Sequence, residues 1–389
     1  MQHDPTTSLY EGILSRCQDL PRTSVVVTVA PVRKQQTLYV ASFDHLYAVD
    51  ASDGTVRWCQ QVRPTQEQIK QWREHPGRHN FPPPHVLFGT PRVANGVVYV
   101  CASGFVNFIY AFNAEDGTLC WRTSTDARRV SLPFGDFAVP LVQDGIVYSG
   151  TYALNELDGS VLWRIDIDSR WFSPQVLVED TLYAMSHMGI HAINAHNGEV
   201  HWLYQPDPPT DLSGPLVISD HLLYAGTSGS VDHPETGYCC ALDTEKGTER
   251  WRYPIGCYLG AVVYRGCVYV SSGDRCLYAL ERSSGRLHWK YQFATPGHSS
   301  AIIAENRLYL NRDGAYAQSP TDGAILWHQD LGSSPNVSFT PSVVLDGVVY
   351  LASIDGHGQS ILYALASSDG TEYWHSYYPH EIVPLAVTQ

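Results

Sequence analysis

Ala48-Val49-Asp50-Ala51-Ser52-Asp53-Gly54-Thr55-Val56-Arg57-Trp58 is the stretch whose reading decides the fold. Its frame is an Ala, a Gly six residues on and a Trp four residues after that. The frame returns seven more times without a slip: Ala111–Gly117–Trp121, Ala153–Gly159–Trp163, Ala192–Gly198–Trp202, Ala241–Gly247–Trp251, Ala279–Gly285–Trp289, Ala317–Gly323–Trp327 and Ala364–Gly370–Trp374. Eight of the ten Trp are used this way, which chance does not produce.

Two further signals precede each frame. An aliphatic–Tyr pair comes first upstream, as in Leu38–Tyr39, Val98–Tyr99, Leu182–Tyr183 and Val349–Tyr350. Earlier still lies an apolar run, often with Pro, as in Pro140-Leu141-Val142 and Pro215-Leu216-Val217. Each unit therefore holds four short strands: A (the Pro/Val run), B (the Tyr run), C (ending near the Ala) and D (carrying the Trp). In six units Asp or Asn precedes the Gly, which predicts type I′ hairpins between C and D, with positive φ at both central residues. One such four-stranded unit cannot bury both faces alone, whereas a closed ring of eight can. The expected fold is all-β, an eight-bladed β-propeller of four-stranded antiparallel blades.

The repeat resembles that of the quinoprotein-like (PQQ-like) β-propeller family, which reads Ala-x-Asp-x-x-x-Gly-x-x-x-Trp; Ala48, Asp50, Gly54 and Trp58 match it fully. The resemblance runs from about Val25 to Gln389. It implies that Trp58, Trp121, Trp163, Trp202, Trp251, Trp289, Trp327 and Trp374 dock between neighbouring blades. For function it implies several things at once. The family includes PQQ-dependent alcohol and sugar dehydrogenases, the propeller lipoprotein of outer-membrane protein assembly, and sensor domains attached to kinases. The last two need no cofactor.

Composition agrees with a β-rich chain. Aromatics make up 12% and charged residues only 16%, and turn formers are plentiful with 31 Gly and 24 Pro. The formal net charge is −14, with four Lys and no basic run, which argues against nucleic acid. No apolar stretch of about 20 residues suggests a membrane span. No signal peptide is read at the start, so a cytoplasmic protein and a soluble part of an exported one both fit. The nine Cys include no C-x-x-C pair and read as mostly reduced.

The expected organisation is an N-terminal extension, 1–24, followed by a single propeller, 25–389. Val25–Val32 reads as strand A of blade 1. Ile382–Val387 reads as a strand A too, so either end can close the ring while the other caps an edge. The D-to-A links and B–C turns open on one face, called top here; the A–B and C–D turns open on the other. Decoration concentrates on top. Trp58 to Pro91 spans 33 residues, and its excess, 62–87, holds a candidate helix at Thr65–Glu74 followed by Pro-rich chain. Loops on a rigid scaffold are where recognition usually sits.

The candidate ligand-binding residues follow from that placement: His79 and His85 in the insertion, Arg128, Arg129 and Asp136 in the next link, and Trp171 before blade 4. Arg128 and Arg129 could clamp an anion, and Trp171 could stack a planar ligand. His75, His79 and His85 could converge on a metal only if the loop folds back, since Pro76 and Gly77 break the helical spacing of the first two, and no metal site is expected. Cys239–Cys240 resembles the vicinal pair of the PQQ-dependent alcohol dehydrogenases, but Cys240 fills the repeat slot that Tyr47, Tyr110 and Tyr278 hold elsewhere, which reads as packing. No matching motif supplies their calcium ligands or catalytic Asp. The expected function is a non-enzymatic binding or scaffold propeller, using its top face for a protein or small-molecule ligand and no cofactor. A PQQ- and calcium-dependent alcohol or sugar dehydrogenase is the first alternative, and another enzyme with a top-face pocket the second.

Overall fold

The computed structural model describes residues 22–25, 36–42, 44–62, 87–103, 107–125, 139–166, 172–207, 209–228, 236–255, 258–294, 301–331, 343–354, 360–378 and 386–387. They form eight antiparallel sheets, each with its strands side by side in the order A-B-C-D, and contain no α-helix. This is an eight-bladed β-propeller. Blade 4 is representative, with strands Phe172–Val178, Thr181–Ser186, Gly189–Asn194 and Val200–Tyr204. The A strands of blades 1 through 7 touch one another in succession and line the axis. Strands B and C are nearly wholly buried, while D strands lie at the rim with burial patterns such as exposed-exposed-half-buried-exposed in Val161–Arg164.

The register explains the repeat. In every blade the Tyr of strand B, the Ala of strand C and the Trp of strand D sit side by side, as in Tyr39, Ala48 and Trp58. All eight Ala are 0% exposed. A methyl group between two aromatic residues lets the rings meet across it. The Tyr and Trp centroids lie 5.8 to 6.1 Å apart and tilted in all eight blades, the range in which aromatic pairs attract.

Each Trp then reaches into the next blade. Its Nε1 donates to a backbone carbonyl in the following C–D turn: Trp58 to Ala114, Trp121 to Glu156, Trp163 to Ala195, Trp202 to Thr244, Trp251 to Arg282, Trp289 to Pro320, Trp327 to Ser367 and Trp374 to Ala51. In seven blades the Tyr hydroxyl donates to the same carbonyl. Tyr99 instead donates to the Glu156 carboxylate, 3.1 Å away. The repeat Gly completes the joint. A Cβ on Gly117 would come within 2.8 Å of the Trp58 ring, and each of the other seven repeat Gly faces the Trp of the preceding blade in the same way.

One expectation needs correction. The C–D turns are not type I′. Only the Gly has positive φ, and the preceding Asp or Asn does not. That side chain instead accepts from the backbone N–H just beyond the Gly, as Asp53 does from Thr55 and Asp116 from Thr118. A longer loop is needed because the turn must present its carbonyl and its Gly to the neighbour's indole. Positive φ at both central residues occurs at A–B turns: Asn95–Gly96, Asp144–Gly145, Asp220–His221, Arg265–Gly266, Glu305–Asn306 and Asp346–Gly347.

Of the two ends that could close the ring, the C-terminal one does. Strand A of blade 1 is Ala386–Val387, which pairs with Tyr39 and Leu38. Val25 pairs instead with Trp374. Arg22–Val25 adds a fifth strand outside strand D of blade 8, Glu372–Tyr378.

Candidate functional site

The top-face residues singled out from sequence (His79, His85, Arg128, Arg129, Asp136 and Trp171, with His75) all lie outside the described residues, as does the candidate helix at Thr65–Glu74. What is described of the top face is the ends of strands B, C and D and several B–C turns.

Strand D carries a basic or imidazole side chain just after the Trp in six blades, and in most of these it covers a Tyr of strand C. Arg164 lies 5.3 Å from the Tyr152 ring, Lys290 lies 4.8 Å from Tyr278, and the His328 ring stacks on Tyr316 at 4.2 Å. The pairs are cross-strand neighbours. In blade 5 the Tyr slot holds Cys240, and Arg252 moves to Tyr238, 4.0 Å from its ring, while its guanidinium grips Glu249. Cys239 and Cys240 are both free thiols with 0% exposure. Successive side chains of a strand face opposite ways, and the two thiols enter different clusters. Cys239 packs with Trp251 and Tyr278, and Cys240 with Tyr183 and Tyr238. Burial pushes the Cys240 thiol up to about 12, so it is held protonated.

Blades 6 and 7 share a polar cluster of Arg312, Asp313, Tyr316 and Asp274. Three residues after the strand-B Tyr, six other blades have a buried hydroxyl: Ser42, Thr151, Ser186, Thr227, Ser272 and Ser353. Blade 7 has Arg312 there, 0% exposed, its guanidinium 4.2 Å from the Phe293 ring. Burial lowers the guanidinium's pKa, against the opposing pull of Asp313. Asp313 accepts from the Tyr316 hydroxyl at 2.8 Å, and Asp274 from Tyr278. In blade 1, Asp44 contacts His45 at 2.6 Å and accepts from Gln61. Burial alone would raise the Asp44 pKa, but these two partners outweigh it and lower it. In blade 4, His191 Nε2 lies 2.8 Å from Ser186 Oγ, and burial beside His187 lowers its pKa to about 4. Sequence reading missed Arg312, His45 and His191. Alignment of the repeats at the Tyr-plus-three position marks Arg312 as the odd residue and was the available signal. No group of three or more His, Cys, Asp or Glu among the described residues could hold a metal. No helix of the described residues is long and apolar enough to cross a membrane.

With the ring and its repeat established, the comparisons with known proteins fall into place. The sequence profile of the family described as outer membrane protein assembly factor BamB matches residues 18–253 and 237–379. The chain belongs to this family. BamB of Yersinia pestis is 24% identical over 291 residues, covering 70% of this chain and 60% of the relative. The serine/threonine-protein kinase AfsK of Streptomyces griseus is 30% identical over 184 residues, covering 42% of this chain and 21% of the kinase. Tetrathionate hydrolase of Acidithiobacillus ferrooxidans is 24% identical over 271 residues, covering 64% of this chain and 49% of the hydrolase. The chain thus spans 60% or less of these relatives' lengths.

Among solved structures, BamB from Moraxella catarrhalis superposes with a TM-score of 0.57 at 14% identity, covering 92% of this chain and 97% of that one. The dihydro-heme d1 dehydrogenase NirN gives 0.64 at 11%, covering 94% and 79%. The quinohemoprotein alcohol dehydrogenase of Comamonas testosteroni gives 0.57 at 14%, covering 76% and 68%. At such identities the likeness to NirN and to the quinohemoprotein is one of fold, and the propeller is common to a BamB protein and to redox enzymes.

Proposed function

We propose that this chain is a non-enzymatic binding propeller that holds a partner protein on its top face, with the 62–87 insertion as a wall or lid. The observation that carries the reading is how the two faces are used. On the bottom face, the carbonyls and Gly of all eight C–D turns are occupied by the Trp, and mostly also the Tyr, of the preceding blade. Their geometry is constrained by assembly and repeats from blade to blade. The top face escapes that constraint and carries the chain's large insertions. Membership of the BamB family makes other proteins of outer-membrane protein assembly the first partners to test. The PQQ-dependent reading stays the alternative. Against it stands the packing of Cys239 and Cys240 into separate clusters.

The test is replacement of residues 62–87 by a short Gly-Ser bridge, with partner affinity measured by surface plasmon resonance. The expected result is an intact ring and affinity reduced by tenfold or more. Unchanged affinity overturns the top-face assignment.

A further inference from the structure

The rim of the propeller carries a second feature, separate from the top face. Strand D of blade 8 is not the edge of its sheet, because Arg22–Val25 lies antiparallel outside it, with Ser24 opposite His375 and Arg22 opposite Tyr377. A short extended segment therefore adds to a blade edge of this protein. No described residue adds a strand outside the D strands of blades 1 to 7.

These open edges differ in chemistry. Natural sheets protect exposed edges with charge, Pro or bulges. Blade 5 follows that practice with Glu249 and Arg250 just before its Trp. Blade 3 does the reverse. Val161 and Leu162 are consecutive, 50% and 48% exposed, and Leu157 in the turn below is 88% exposed. The neighbouring rims extend the apolar surface, with Leu119 on blade 2 and Val200 and Leu203 on blade 4 all at least 41% exposed. Blade 7 has a similar pair, Ile325 and Leu326, but its neighbour on one side is the edge already covered by Arg22–Val25.

The backbone of blade 3 is oriented for pairing. Ile165 N donates inward to Thr151. Strand alternation then turns the N–H and C=O of Arg164 outward. The equivalent residue of blade 8 is His375, the one opposite Ser24. Asp158 and Asp166 bracket the edge, and the chain has a formal net charge of −14.

We propose that the outer edge of blade 3, Val161–Arg164, is a strand-addition site for an extended segment of a partner polypeptide, apolar or β-branched at its centre and basic at its ends. Main-chain hydrogen bonds supply such pairing, and alternate side chains supply selectivity. The intramolecular strand shares part of this character, with basic Arg22 at one end and β-branched Thr23 and Val25 after it. The site goes beyond the top-face function and does not depend on it.

The probe is a fluorescein-labelled peptide of alternating Val and Thr with Lys at both ends, titrated into the full chain and followed by anisotropy. Hydrogen exchange over 161–166 is read in parallel. Saturable binding is expected, with protection of that segment. Leu162→Lys, at a half-exposed position that leaves the fold intact, is expected to weaken binding at least tenfold, while Leu326→Lys is not. A peptide N-methylated at alternate residues should fail to bind the unaltered chain, which tests the pairing without any variant. Absence of saturable binding, equal binding of the methylated peptide, or protection confined to other blades overturns the proposal. So does concentration-dependent dimerisation that Leu162→Lys abolishes when no peptide binds, because the edge then serves a second copy. The 62–87 deletion should leave peptide binding unchanged, so failure of the top-face reading is separable from failure of this one.

Discussion

The indole Nε1 of Trp374 donates to the carbonyl of Ala51 at 3.2 Å, joining residues 323 positions apart and closing blade 8 onto blade 1. Trp374 is 1% exposed, while the equivalent Trp289 is only partly buried. Trp374→Ala removes a fully enclosed ring and the hydrogen bond at the joint. Its expected cost is about 4 kcal/mol, against a smaller loss for Trp289→Ala. Urea denaturation of both variants checks the order, and a Trp374→Ala midpoint equal to wild type contradicts the docking role.

Gly159 and Gly96 separate two reasons for a glycine. Both have positive φ, +70 and +75. A Cβ on Gly96 meets nothing within 4 Å, whereas one on Gly159 lies 2.5 Å from Trp121 Cε3. Gly96→Ala should cost about 1 kcal/mol, the left-handed penalty alone. Gly159→Ala adds overpacking and should cost about 3 kcal/mol in total. Equal melting temperatures for the two variants would remove the steric part of this account.

His191 gives the fold an acid sensitivity. An unfolded imidazole titrates near 6.5, and burial beside His187 lowers it to about 4 in the fold. The unfolded chain binds the extra proton, so the neutral ring contributes stability that is complete above about pH 6.5. That contribution is lost as the pH falls through about 4, up to roughly 3 kcal/mol. The stability of His191→Gln should therefore rise relative to wild type between pH 7 and pH 4. A constant difference across that range excludes the linkage.

Ala386–Val387 supplies the only described strand A of blade 1, and Arg22–Val25 adds to an already four-stranded sheet. Truncation after Leu385 should lower the melting temperature more than removal of residues 1–25. The loss is expected at about 2 kcal/mol or more, from two residue pairs at roughly 1 kcal/mol per hydrogen bond and the opened ring. The reverse order in calorimetry would assign closure to the N-terminal strand.

PQQ supplied with calcium is expected to leave Trp fluorescence unchanged and to give no dye-linked oxidation of alcohols or sugars. Stoichiometric, calcium-dependent quenching would establish the dehydrogenase alternative instead.

The Ala–Gly–Trp frame was legible because each of its residues answers a steric demand made eight times over. The Ala must fit between two rings, the Gly must accept an indole, and the Trp must reach a carbonyl. Repetition made those local demands visible without coordinates, and with them the blade count. The turn types were misread because Asp-Gly favours a type I′ hairpin locally, whereas these turns are shaped by the neighbouring blade's Trp. The candidate site was legible only as unevenness of the top face, and its proposed residues lie in loops outside the described residues. Arg312 stands three residues after the strand-B Tyr, where most repeats have Ser or Thr, so repeat alignment could have marked it, but its burial against Phe293 depends on the packed blades.

Sequence alone therefore determined the repeat, the four strands of each blade and the ring they must form, since these follow from residue size and turn chemistry within about forty residues of chain. Tertiary structure decided what depends on contacts between chain segments far apart. It placed Ala386–Val387 beside Tyr39, sent Arg22–Val25 to the rim of blade 8, and added no strand to the apolar edge of blade 3 among the described residues. Both terminal segments read alike as β-strands, and backbone hydrogen bonding is indifferent to which strand supplies it, so only the geometry of the closed ring distinguishes the partner each one finds.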